Sequence, residues 1–99
     1  MNVFNLPPLP LAEELTTILA SNGKIRIERI ISTGQVSGWY DLTEAEFIVL
    51  LEGNAAIEYE YGGNVVMSKG DTLLLKPHER HRVSYTSSIP PCVWLCVFY

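Results

Sequence analysis

The stretch Gly70-Asp71-Thr72-Leu73-Leu74-Leu75-Lys76-Pro77-His78-Glu79-Arg80-His81-Arg82-Val83 decides how this chain is read. Gly-Asp marks a turn, and Thr72–Leu75 is short and apolar, as a strand buried in a sheet would be. Pro77 then breaks the run, and two histidines follow, His78 and His81, three residues apart. Turn, strand, turn and imidazole predict a small β-barrel that presents a histidine at its mouth.

The rest of the chain agrees with an all-β reading. Lys24–Ile31, Glu46–Leu51, Ala56–Tyr61, Val65–Met67, Thr72–Leu75, His81–Thr86 and Cys92–Tyr99 have strand character. Ala56–Tyr61 alternates, with Ile57, Tyr59 and Tyr61 against Glu58 and Glu60. Gly62-Gly63-Asn64 supplies a hairpin turn. Short strands separated by turn signals indicate a sandwich or barrel. One helix is expected ahead of them, over Leu11–Ser21. Leu11, Leu15, Ile18 and Leu19 share a face at helical spacing, Glu13 and Glu14 suit the first turn, and Asn22-Gly23 stops it. The division is therefore an arm and helix over residues 1–23 and a barrel over 24–99, in one domain.

With 99 residues, of which 47% are hydrophobic and 18% charged, the chain is globular and has room for one core. A formal charge of −4 gives no footprint for nucleic acid. No apolar run reaches the ~18 residues of a spanning helix, so no membrane role is expected. The start has no basic residue before Lys24, unlike a secretory leader. Cys92 and Cys96 lie about 13 Å apart along an extended strand, too far to join in a disulfide. They read as small buried hydrophobes in a reduced, cytoplasmic setting. P-loop, dinucleotide-binding, C-x-x-C and G-x-S-x-G motifs are absent.

Two segments together resemble the cupins, a family of jelly-roll barrels. The second cupin motif opens on Gly and places a metal-binding His eleven residues later, the spacing of Gly70 and His81. The first motif ends in Glu, six residues, then Gly, which is the spacing of Glu46 and Gly53. The resemblance covers Ile25–Tyr99. Trp39-Tyr40-Asp41 and His78-Glu79-Arg80-His81-Arg82-Val83 are similar to segments of a subgroup of small cupins. It implies a barrel pocket, one divalent transition metal (Zn, Mn, Fe or Ni), a small-molecule ligand and a homodimer.

The departures from that pattern bear on the site. The first motif carries His-x-His shortly before its Glu, where this chain has Tyr40 and Leu42, or Trp39 and Asp41. In the second motif, Lys76 replaces the proline and His78 a glycine. Some relatives carry a histidine where Phe98 stands here. A centre of three His and one Glu cannot be built from two histidines. The remaining candidate ligands are His81, Glu46, His78 and Asp41, a reduced set whose donor types suit those metals.

Each candidate has a plainer reading that stands beside the functional one. His81 is equally a hydrogen-bonded structural histidine, His78 a surface turn residue and Asp41 a loop cap. A buried Glu46 needs a partner such as His81, Arg29, a tyrosine or a metal, because a lone buried carboxylate is costly. Arg29, Trp39, Tyr40 and Tyr85 are the candidate pocket residues. Arg29 shares a strand face with Ile25, Ile27 and Ile31, where a charge is unexpected. Either it meets Glu46 or an anionic ligand, or the strand turns it outward. Both faces of Cys92–Tyr99 are apolar, so something must cover the outer one. No catalytic residue is assigned. Two functions remain: an enzyme acting on a small molecule through a metal, and a metal-free ligand-binding or sensory barrel.

Overall fold

The computed structural model describes residues 1–99 and contains eight strands. These are β1 (Leu15–Asn22), β2 (Ile25–Ser32), β3 (Glu46–Glu52), β4 (Asn54–Tyr59), β5 (Asn64–Ser68), β6 (Thr72–Leu75), β7 (His81–Thr86) and β8 (Cys92–Phe98). All pairings are antiparallel. One sheet runs β1-β2-β8-β3-β6 and the other β5-β4-β7. The chain changes sheet four times, from β3 to β4, β5 to β6, β6 to β7 and β7 to β8, and the two inner faces enclose the core. No helix is long and apolar enough to cross a membrane.

The expected helix is not formed. Leu15–Asn22 is strand β1, hydrogen-bonded edge to edge with β2. Three β-branched residues in a row, Thr16-Thr17-Ile18, favour extended backbone. Asn22-Gly23 serves as a hairpin turn, with the Asn22 side chain accepting from the Ile25 backbone N–H. A local helical pattern thus loses to the ladder that β2 offers.

Both sheets bury their inner faces around Ile48, Leu50, Ile57, Met67, Leu75 and Trp94. Gly53 is fixed between β3 and β4. Its φ is +93°, and a Cβ there would lie 2.7 Å from the Pro91 carbonyl oxygen and 2.8 Å from Cys92 Cα. At Gly70 (φ +89°) the chain turns into β6, and Asp71 accepts from the Ser68 backbone N–H at 2.8 Å.

β2 is arranged against hydropathy. Its ladder with β8 pairs Arg26 with Phe98, Glu28 with Cys96 and Ile30 with Trp94, so these residues face inward. Ile27, Arg29 and Ile31 face outward with Val97, Leu95 and Val93. The outer face is covered in part by the N-terminal arm. Arg29 is buried there and donates from Nη1 to the Asn5 carbonyl oxygen at 3.0 Å. Its Nε finds no partner. Cys92 and Cys96 are buried free thiols.

Candidate functional site

One end of the barrel holds a cavity of about 240 Å³, below the ~300–1,000 Å³ usual for drug-sized ligands. Strand alternation supplies its walls: β2 gives Arg26, Glu28 and Ile30, β3 gives Glu46 and Ile48, and β8 gives Trp94, Cys96 and Phe98. Glu14 and Tyr40 stand at the rim, where they also border a second, shallower groove.

Glu46 and His81 meet inside this cavity. Glu46 opens β3 opposite Phe98 and Leu75, which removes it from bulk water. His81 opens β7, and its backbone pairs both ways with Tyr40: Tyr40 N–H donates to His81 at 2.7 Å, and His81 N–H to Tyr40 at 3.1 Å. The residues are 7% and 4% exposed, so both are nine-tenths buried or more. His81 Nε2 lies 3.9 Å from Glu46 Oε1, too long for a hydrogen bond. His81 Nδ1 sits 2.8 Å from the Glu79 carbonyl oxygen. A carbonyl can only accept, so Nδ1 carries the proton, and in the neutral ring Nε2 points a lone pair into the cavity.

Burial pushes the Glu46 carboxyl up to about 7, against a smaller opposing effect from the Cys96 thiol beside it; the charge of Glu28 adds to the rise. Cys96 is driven well above the ordinary thiol range, first by burial and then by Glu46. Burial also raises Glu14, with the Ser32 hydrogen bond opposing. Tyr40 is raised by burial and then by the charges of Glu14 and Glu46. Arg26 is tied down: its Nε donates to Glu28 at 2.8 Å, and Nη1 and Nη2 donate to Glu44 at 3.2 and 3.3 Å.

Comparison with known proteins adds the family. The cupin domain family matches residues 29–98. The chain belongs to the cupin family. A search of curated proteins returns no match. Among solved structures, this cupin is similar to a Ralstonia eutropha protein provisionally named a mannose-6-phosphate isomerase, at 38% identity and TM-score 0.93, covering 99% of this chain and 94% of that one. A cupin superfamily protein from Desulfitobacterium hafniense shares the fold at 15% identity and TM-score 0.81, over 93% of this chain and 82% of the other. An RmlC-like cupin from Shewanella frigidimarina does so at 16% identity and TM-score 0.76, over 86% and 74%.

The residues singled out in the cupin sequence separate in space. Only Glu46, His81 and Tyr40 line the cavity. His78 and Asp41 instead pair with each other on the surface, Nδ1 to Oδ1 at 2.8 Å, with both side chains half exposed or more. Trp39 stacks beneath Arg82, whose guanidinium carbon lies 4.7 Å from the ring centroid, and borders the shallower groove. Tyr85 is exposed on β7. Arg29 lies on the opposite face of the sheet from Glu46, without any bulge in β2–β8 pairing to turn it there.

This geometry bears on the metal that the family implies. No group of three or more His, Cys, Asp or Glu side chains is arranged to hold a metal ion. His78 and Asp41 are committed to each other on the surface. Glu46 and His81 alone fall short of the three protein ligands of a catalytic zinc site. The donor set of this cupin does not fit a resident transition metal.

Sequence reasoning misses Glu14, Arg26, Glu28 and Cys96 as cavity residues. It places Glu14 in the first turn of a helix and gives Arg26 and Glu28 no part in the site. The available signal was the last strand: with both its faces apolar, its neighbour's isoleucines could have been placed outside as readily as inside.

Proposed function

We propose that the barrel cavity binds a small hydroxylated molecule and that Glu46 and His81 exchange protons with it. The observation that carries this is the 3.9 Å gap between Glu46 Oε1 and His81 Nε2, two buried groups facing one cavity without a hydrogen bond between them. A ligand carbonyl oxygen that approaches from the cavity side can take a proton from a protonated Glu46, while the His81 lone pair takes one from the neighbouring carbon. A carboxyl poised at about 7 suits this work, since proton transfer is most effective when the group titrates near the working pH. The name of the Ralstonia relative supports the reading. Isomerising a hydroxy-carbonyl compound moves a proton between neighbouring carbons, and a paired acid and base perform that transfer. A non-catalytic ligand-binding barrel is the second reading, favoured by the mostly apolar wall of Ile30, Ile48, Ile57 and Trp94.

The test is hydrogen exchange at carbon. Small hydroxy-aldehydes and hydroxy-ketones are incubated with the protein in D₂O, and NMR follows deuterium entering beside the carbonyl. Incorporation that falls about 100-fold or more in Glu46→Gln and His81→Asn supports proton transfer. Compounds that bind without exchanging favour the non-catalytic reading.

For the outer face of the five-stranded sheet we propose a second copy of this chain as the cover. Ile25, Phe47 and Leu74 are exposed there, beside the buried Arg29 that has no carboxylate partner. An apolar patch ending in an unneutralised cation suits an isologous interface.

A further inference from the structure

We infer that the cavity selects a ligand carrying an ammonium group and rejects phosphate esters. This rests on the reading of the cavity as a small-molecule site and names the chemistry it takes.

Three acidic side chains, Glu14, Glu28 and Glu46, line the cavity; Glu28 is paired with Arg26, which leaves Glu14 and Glu46 to meet a ligand. Of the seven Lys and Arg residues in the chain, only Arg26 reaches it. That guanidinium is already spent on Glu28 and Glu44 and lies 4.2 Å above the Phe98 ring centroid. No free cation remains to receive a phosphate. Glu46 and His81 are nine-tenths buried or more, line the cavity and lack a hydrogen bond to each other. They mark a place where a ligand's polar atoms are awaited, so the acidic character belongs to a built cavity.

Aromatic rings stand among these carboxylates: Phe98 is the cross-strand neighbour of Glu46, and Trp94 and Tyr40 also line the cavity. Carboxylates beside aromatic rings in a partly desolvated pocket are the combination that holds organic ammonium ions. Glu14 extends into a relay: Trp94 Nε1–H donates to Ser32 Oγ at 3.2 Å, and the Ser32 hydroxyl donates to Glu14 at 3.2 Å. Occupation of the rim carboxylate is therefore felt at the Trp94 indole. The groups facing the cation site are Glu14 ahead of β1, Arg26 and Glu28 on β2, Tyr40 in the loop, Glu46 on β3, His81 on β7 and Cys96 on β8. Their balance is negative, and more so once Glu46 ionises. An amino-hydroxyl compound satisfies both halves of the site, its ammonium at the carboxylates and its oxygen between Glu46 and His81.

Trp39 and Trp94 supply a built-in experiment, because Trp94 lines the cavity and Trp39 does not. Indole N–H signals of ¹⁵N-labelled protein are followed while D-mannosamine, D-mannose or D-mannose 6-phosphate is added at pH 7 and low salt. The expected result is a saturable shift of Trp94 alone, tightest for mannosamine and at least about ten-fold weaker for the phosphate, with the difference shrinking in high salt. Glu14→Gln weakens mannosamine several-fold more than it weakens mannose. Equal affinity for mannosamine and mannose, tightest binding by the phosphate, or no Trp94 shift with any of the three overturns the inference. Its failure is distinct from failure of the proton-transfer reading. Charge preference without hydrogen exchange leaves this inference standing, and exchange without charge preference removes it.

Discussion

Glu46 makes a single carboxyl visible in the stability of the whole protein. Its folded value of about 7 stands above the ordinary 4.5, so the native state holds the proton more tightly than the unfolded chain does. The stability this contributes is fully present below pH 4.5 and is lost as pH rises to about 7. The loss amounts to at most about 3 kcal/mol. Urea titrations of wild type and Glu46→Gln across that window should diverge, with the variant gaining on wild type as pH rises; parallel curves would refute the raised value. His78 makes a second test at this scale. It stands at φ 59°, a conformation that costs a non-glycine residue about 1 kcal/mol. Its ion pair with Asp41 is solvent-exposed and contributes little. His78→Gly is expected to be neutral or to stabilise by up to about 1 kcal/mol, measured by the same titration. Gly53→Ala should act the other way and cost about 2–4 kcal/mol, since the methyl meets the Pro91 carbonyl and the Cys92 backbone.

The strands show which sequence signals carry through to structure. Asn54–Tyr59 and Asn64–Ser68 lie where alternation and the Gly62-Gly63 turn put them, because that hairpin's pattern and turn chemistry agree. β1 was illegible because its leucines fit two periodicities, and only the free edge of β2 decides between them. The inward polar face of β2 was illegible for a related reason. Alternation tells which residues share a face, but which face turns inward depends on the partner strand. The Gly70–His81 and Glu46–Gly53 spacings did identify the two residues that meet in the cavity. The fates of His78 and Asp41 depend on a turn whose shape spacing does not encode. The N-terminal arm offers a test at this scale. Removing residues 1–10 takes away the carbonyl of Asn5 and wets Arg29. Thermal unfolding should show a lower midpoint by several degrees while the β-sheet circular dichroism persists.

At the scale of the molecule, the apolar outer face and the cavity-lining inner face divide the work of one sheet. Ile27, Val97, Phe47 and Leu74 fall in one row across four strands, the row we propose a second copy covers. Light scattering after size exclusion is expected to give twice the chain mass of 11.1 kDa. Phe47→Lys combined with Leu74→Glu should shift the protein to monomer while leaving the cavity's ligand response intact. A monomeric wild type at micromolar concentration would rule out the pairing.

The two backbone hydrogen bonds between Tyr40 and His81 tie a mobile kind of element, a loop, to the imidazole it borders. Tyr40 cannot swing at the rim without tugging the residue that holds the Nε2 lone pair. Under the proposed function, admission of a molecule and alignment of the proton acceptor are thus mechanically one event. A substitution in the segment from Gly34 to Trp39 that alters how the loop rests should change both together, even though none of those residues touches the ligand's place of reaction.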